Sequence, residues 1–187
     1  MCKHKEVKHQ YKRLLYSVAL LLLLLYTYFS FSHTAFTPRQ AFEKSERSAL
    51  YGPSYIVHEE RQGSVHYFLG YYDKWFSCHP TVKTPFGIWR PGNQVYGQEM
   101  DKSKPFNFSV GYSRYNNEHY FSVFGIVHDP SITKIQLHLT LEGVPIVLQQ
   151  ENLYENMFLF TLDGKDYDFD KIVGMTDTDE VIYEETR

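Results

Sequence analysis

The pattern of apolar and polar positions changes character along the chain. From Leu14 to Phe31, eighteen consecutive residues carry no formal charge, and the run is apolar all round rather than along one stripe. At about 1.5 Å per residue, a helix of that length rises about 27 Å, close to a hydrocarbon core of about 30 Å. The run therefore predicts a membrane-spanning helix. Immediately beyond it, Thr37 as a cap, Pro38 at the first helical position and Gln40 predict a second, short helix that continues through Ala41 to Leu50 and stops at Gly52-Pro53. Its charged, weakly amphipathic composition suits a juxtamembrane linker over residues 32–54, a stalk lying near the lipid surface.

From Tyr55 onward the period shortens to two. Runs of Val, Ile, Tyr and Phe alternate with polar residues and are punctuated by Gly, Pro, Asn and Asp, which predicts strands. The expected strands are Tyr55 to Glu60, Ser64 to Tyr72, Thr84 to Trp89, Asn107 to Arg114, His119 to His128, Thr133 to Leu141, Val144 to Gln149, Asn156 to Leu162, Lys171 to Thr176 and Val181 to Glu185. Leu153 to Phe160 admits one helical turn instead. The clearest alternation is "ITKIQLHLTL", with Ile132, Ile135, Leu137, Leu139 and Leu141 facing a core and Glu142-Gly143 turning into "VPIVL". So many short strands predict a mainly β domain over residues 55–187, an antiparallel sandwich or barrel-like fold.

Charge turns this pattern into a topology. Residues 1–13 carry Lys3, Lys5, Lys8, Lys12 and Arg13 against Glu6, whereas the outer flank mixes Arg39, Lys44 and Arg47 with Glu43 and Glu46. That excess keeps the N-terminus in the cytoplasm and puts the β domain outside, as in a single-pass protein of the cell membrane. A cleaved signal peptide has a shorter apolar core, about 7 to 15 residues, before an A-x-A-like site. Ser30-Phe31-Ser32 is the best match here, so a retained anchor, a removed leader and a buried helix of a soluble fold all stand open. The chain has 187 residues, 17% of them aromatic, which argues for a folded domain rather than disorder. Residues 139–187 hold twelve acidic groups against three basic ones, which excludes a nucleic-acid partner. Cys2 and Cys78 fall on opposite sides of the expected membrane and cannot pair, so the domain must hold by packing alone.

Chemistry is sparse. Six histidines lie beyond the linker, but none falls in a metal-ligand spacing, and "HEERQ" at His58 has Gln62 where H-E-x-x-H needs histidine. Asp166, Asp168, Asp170 and Asp177 fall at calcium-loop positions, yet Lys171 occupies the position of the turn glycine; an edge strand with Tyr167 and Phe169 inward explains the spacing as well. "GYSRY" around Ser113 lacks the second glycine of a nucleophile elbow. No catalytic residue, metal site or cofactor is expected. Asn107-Phe108-Ser109 is a glycosylation sequon. The aromatics Tyr71, Tyr72, Trp75, Trp89 and Tyr96 sit among turn residues and are the candidate ligand-binding set, suited to stacking on sugar rings or anchoring a protein partner.

The ordered segments "IVHEE", "GSVHYFLGYYDKWF", "FGIWRPG", "FSVFGIVHDPSITKIQL" and "KIVGMTDTDEVIYEE" resemble small membrane-anchored extracytoplasmic β-domain proteins of Bacillus-like Gram-positive bacteria. The resemblance runs from Tyr55 to Arg187 and implies one N-terminal anchor and a compact β-rich domain, with no activity attached. Where such proteins more often read D-x-D-G in the closing hairpin, this chain has Glu180 at the glycine. Together these readings point to a binding or sensing domain held at the cell surface, its partners the lipid bilayer and a cell-wall glycan or a membrane protein. A glycan-binding module, an accessory subunit of a membrane complex and a surface hydrolase are the rivals.

Overall fold

The computed structural model describes residues 3–31, 34–92, 97–115, 118–163 and 166–186. Helix α1 (Lys3–Phe31) precedes helix α2 (Pro38–Ala49), and everything after is strand and turn. The protein is mainly β, and every strand pair is antiparallel.

Three sheets form. Sheet A has the order β1 (Tyr55–Gln62), β2 (Val65–Tyr72), β3 (Trp75–Lys83), β4 (Trp89–Pro91), with β5 (Gln98–Glu99) also on β3. Sheet B is β10 (Met157–Asp163), β7 (Glu118–Val127), β6 (Phe106–Tyr115). Sheet C is β12 (Val181–Thr186), β11 (Tyr167–Met175), β8 (Lys134–Leu141), β9 (Val144–Gln150).

The sheets stack A on B on C, because sheet B is apolar on both faces. On β7, Tyr120, Phe124 and Ile126 join a core shared with Val65, Tyr67, Leu69, Phe76 and Val82 of sheet A. Phe121, Val123 and Val127 point the opposite way, into a core shared with Ile135, Leu137, Leu139, Phe169 and Ile172 of sheet C. β10 divides likewise, Met157 and Leu159 to one side and Phe158 and Phe160 to the other. The expected two-layer sandwich or barrel is thus a three-layer stack. A strand buried on both faces reads as a continuous apolar run, as "MFLF" does, and alternation cannot reveal the second layer. The "ITKIQLHLTL" alternation belongs to sheet C, whose outer face is polar; Ile135, Leu137 and Leu139 are fully buried. Glu142 and Gly143 both take positive φ in the β8–β9 hairpin, the geometry of a two-residue turn that matches strand twist.

Helix α2 starts as expected, the Thr37 side chain accepting from the Gln40 N–H at 3.2 Å with Pro38 in the first turn. It ends at a left-handed Leu50, where the Leu50 and Tyr51 N–H groups bond back to Arg47 and Glu46. It is packed on sheet A rather than standing free as a stalk. Ala41, Phe42, Ser45 and Glu46 form its buried face, and Phe42 stacks on Phe68 with ring centroids 4.7 Å apart. The polar pair Ser45 and Glu46 disguises that face in the sequence. Ala35 exchanges two backbone hydrogen bonds of 2.8 Å with Trp89, so the chain joins the folded domain well before Tyr55.

Strand β3 was expected to be loop. Pro80 lies within it, but the Pro80 carbonyl accepts from Gly92, so its nitrogen faces the same side, in the gap between β5 and β4 where no ladder partner needs an N–H. Leu153 to Phe160 resolves into a turn followed by β10 rather than a helical turn. Helix α1 stands apart from both cores, with Leu14, Leu15, Val18 and Leu20–Leu25 all exposed. Among the described residues, no helix is long and apolar enough to cross a membrane.

Candidate functional site

Of the aromatic residues singled out in the sequence, Tyr71, Tyr72, Trp75 and Trp89 lie in strands, and the fold splits them between two ends of β3. Tyr72 is the register partner of Trp75 across the β2–β3 hairpin, while Trp89 partners Lys83, eight residues further along. At about 3.3 Å per residue the two ends lie roughly 26 Å apart. Trp89 is buried with Ala35 and Ala41 under α2, its ring edge-on to His66, and offers no face to a ligand. Tyr96 lies outside the described residues.

The other three lie together at one end of sheet A, with Tyr51 of the expected linker and Tyr55 of β1 beside them. Tyr71 packs at the edge of the A–B core and against Tyr55, at 5.4 Å between centroids. Tyr72 meets Tyr51 edge-on at 5.6 Å. The Lys74 ammonium sits 5.3 Å from the Trp75 ring centre, and its ion pair with Glu99 holds its pKa above the usual lysine value. Tyr51, Tyr72 and Trp75 on the α2 face and Tyr55 and Tyr71 on the sheet B face thus rim this end of sheet A as an aromatic tip. Beside it, at the C-terminal end of α2, a pocket of about 550 Å³ is lined by Glu43, Glu46, Arg47, Leu50, Tyr51, Gly52 and Pro53. Apolar walls with a few polar groups are the usual make-up of a ligand pocket.

Polar groups rarely buried in a helix–sheet interface lie behind this pocket. The Glu46 carboxyl is withdrawn from water, and burial raises its pKa, partly offset by the Ser54 N–H at 3.2 and 3.4 Å from its two oxygens. The Tyr51 hydroxyl lies within reach of Ser77 and Ser54 but makes no well-directed bond to either, and burial raises its pKa too. His79 is 4% exposed, its ring against Phe42 and Tyr51 at centroid distances of 5.6 and 5.9 Å, and its Nε2 has no partner. Burial pushes its pKa down to about 3, so the imidazole is neutral at physiological pH.

The remaining titratable groups stay separate. His58 stacks on Tyr154, with the Glu60 carboxylate 3.7 Å away; His66 meets Glu59 at 3.1 Å, His119 meets Asp166 at 3.1 Å, and His128 meets the Asn107 side chain at 2.9 Å. No group of three His, Cys, Asp or Glu that could hold a metal ion occurs among the described residues. Asp168 and Asp170 lie on β11, with Phe169 inward, so strand geometry replaces the calcium loop; β11 is internal to sheet C, not the expected edge. Asn107 is 8% exposed, and its side-chain oxygen accepts the Asp101 N–H while its amide donates to the Phe106 carbonyl. The sequon is therefore spent on packing. Part of Cys78 opens onto a cleft of about 180 Å³ between sheets A and B, lined also by Ser109, Gly111, Ser113 and Ser122. Burial, with the Glu60 charge second, pushes its thiol up, so it is not a thiolate at neutral pH.

The arrangement is suited to holding a ligand by apolar and aromatic contact. Among the described residues, the Thr161 and Thr140 hydroxyls donate to the Glu60 and Asp170 carboxylates, and no serine hydroxyl or thiol is hydrogen-bonded to a histidine. The comparisons with known proteins identify no relative: no family model matches the chain, and no curated protein is similar to it.

Proposed function

We propose that this chain is a single-pass membrane protein in which α1 anchors an extracytoplasmic β domain that binds at the cell surface through its aromatic tip. The observation that carries the reading is α1 itself. Its apolar side chains from Leu14 to Leu25 are exposed around the whole circumference, an arrangement that water does not tolerate and lipid does. The stretch from Leu14 to Tyr28 alone rises about 22 Å, but α1 continues through Phe29, Ser30 and Phe31, which brings the uncharged run to about 27 Å. Lys12 and Arg13 mark the cytoplasmic boundary.

In membranes from cells expressing the full chain, alkaline carbonate is expected to leave the protein in the pellet. The double variant Leu22→Arg, Leu23→Arg places two charges at mid-span, each costing about 2.5 to 3.5 kcal/mol, and moves most of it to the supernatant. Wild-type protein found in the supernatant sinks the anchor. Protease added outside intact cells digests the β domain in this topology and spares it in the reverse one.

A cell-wall glycan is the ligand class favoured by one specific observation: Trp75 and Tyr72 are neighbours at the end of sheet A, with Lys74 beside them. Replacing Trp75 and Tyr72 together by alanine is expected to lower retention of the protein on purified cell wall about tenfold, since each stacked ring contributes roughly 0.5 to 1.5 kcal/mol. Equal retention of wild type and variant refutes the glycan. An accessory-subunit role uses the same tip against a protein. The hydrolase has no support from the described side chains.

A further inference from the structure

The two ends of the β stack differ in chemistry, and the difference follows the attachment of α1. Ala35 follows the last residue of α1 by four positions, so the reach of the chain holds it within roughly 14 Å of the helix end. Its backbone is bonded to Trp89, which fixes that end of sheet A nearest to α1. At the same end, residues 84–88 form a tight turn between β3 and β4, closed by Thr84 N–H to Ile88 and Gly87 N–H to Thr84 hydrogen bonds of 2.7 and 2.9 Å. Phe86 stands on the tip of that turn 90% exposed, and Phe36, next to Ala35, is 70% exposed. Neither phenyl group belongs to a core cluster.

Charge agrees. Lys83 and Arg90 flank the turn, both exposed, the Arg90 guanidinium lying 4.7 Å from the Tyr115 ring centre. Arg61 is exposed beside the β1–β2 turn that joins the same edge through Lys83 N–H to Ser64, and Arg114 is exposed next to Tyr115. Acidic residues share this end: Glu118 pairs with Tyr115 and Asp163 with Tyr120 in sheet B, Glu142 and Asp166 lie in and beside sheet C, and in sheet A exposed Glu59 is taken up by Arg39 and His66. The opposite end carries exposed Asp73, Glu99, Asp101 and Glu155, with Lys74 and Lys102 among them.

We infer that the sheet A end of the domain, with Phe36 and Phe86 as wedges and Lys83, Arg90, Arg61 and Arg114 around them, docks on the lipid surface from which α1 emerges. This inference rests on the anchor reading and adds to it a fixed posture. The occupant is the headgroup–acyl boundary of an anionic bilayer, where phenyl rings bury themselves and nearby cations meet lipid phosphates. Docking there points the strands outward and holds the Tyr72–Trp75 tip roughly 26 Å from the docked end.

The test uses the full chain with Phe86→Trp, in phosphatidylcholine vesicles containing a minority of phosphatidylglycerol, some with acyl chains brominated near the headgroup. Phe86 is exposed, so the substitution leaves the core intact. Bromine is expected to reduce the fluorescence added by the new indole about twofold, while the wild-type chain, with Trp75 distal and Trp89 buried, changes little. Flotation with the vesicles is scored in the same samples. Protein that floats without quenching of the added signal overturns the docking and leaves the anchor standing. Protein that does not float overturns the anchor and the docking with it.

Discussion

Replacing Phe158 by alanine is expected to cost about 3 to 5 kcal/mol of folding stability, the usual range for emptying a buried aromatic site. A domain of this kind has only about 5 to 15 kcal/mol in total, so the variant sits close to unfolding. The reason lies in the middle layer. Phe158 is fully buried on β10 opposite Gly125 of β7, and its ring fills the space that a side chain at Gly125 would take. A Cβ at Gly125 would run into that ring and into the Asn107 carbonyl oxygen. Phe106 meets the same ring edge-on at 6.3 Å, and the cluster continues into sheet C. Losing Phe158 therefore opens the B–C interface where three strands of the central sheet meet. Urea unfolding of the full chain in detergent micelles measures the effect, and a loss below about 1 kcal/mol would show that the core closes over the vacancy. Gly125→Ala is expected to destabilise as well, and less severely when Phe158 is already alanine, because one of its two obstacles is then gone.

Acidification is expected to weaken the domain through His79. Its pKa is about 3 in the folded protein, lowered by burial from the ordinary 6.5. Between those values the unfolded chain binds the proton and the folded one does not. The stability contributed by the neutral ring is complete above pH 6.5 and is lost as pH falls toward 3. At 1.36 kcal/mol per pH unit the loss reaches about 3 kcal/mol by pH 4. Glu46 works in the opposite direction. Burial raises its pKa, so the folded state takes up that proton at a higher pH than the unfolded chain does, and acidification relieves part of the cost of burying the carboxylate. His79→Leu keeps Glu46 and Tyr51, so the difference between variant and wild type isolates the imidazole. The variant is expected to be at least as stable at pH 7, since it removes an unpartnered Nε2, and to show the flatter stability profile from pH 7 to 4. Parallel profiles would mean that His79 finds a partner for its proton.

Most strands were legible because a half-buried strand must alternate. Strand β8 shows this best: Ile135, Leu137 and Leu139 are inward, and its ends fall within a residue of the expected ones, whereas β11 begins four residues before the expected Lys171. Strand β3 was not legible, because "WFSCHPTVK" carries a proline that only the gap between β4 and β5 makes tolerable. The closing hairpin shows a similar displacement: Asp179, not residue 180, takes the positive φ, so Glu180 in place of glycine is accommodated. The candidate site was half legible. Tyr71, Tyr72 and Trp75 do share one end of the domain, whereas Trp89 is spent on seating α2, and Tyr51, Glu46 and His79 carried no local signal.

By itself the sequence determined the β character of the domain, the two helices and the capped start of α2, since each depends on neighbours within a few positions. Tertiary structure alone decided that sheet B is covered on both faces, that α2 belongs to the domain, and that exposed Phe36 and Phe86 stand at the end of sheet A opposite Tyr72 and Trp75. Burial on a second face and exposure at one end of a sheet are sums over residues far apart in the chain, and only packing brings their members together.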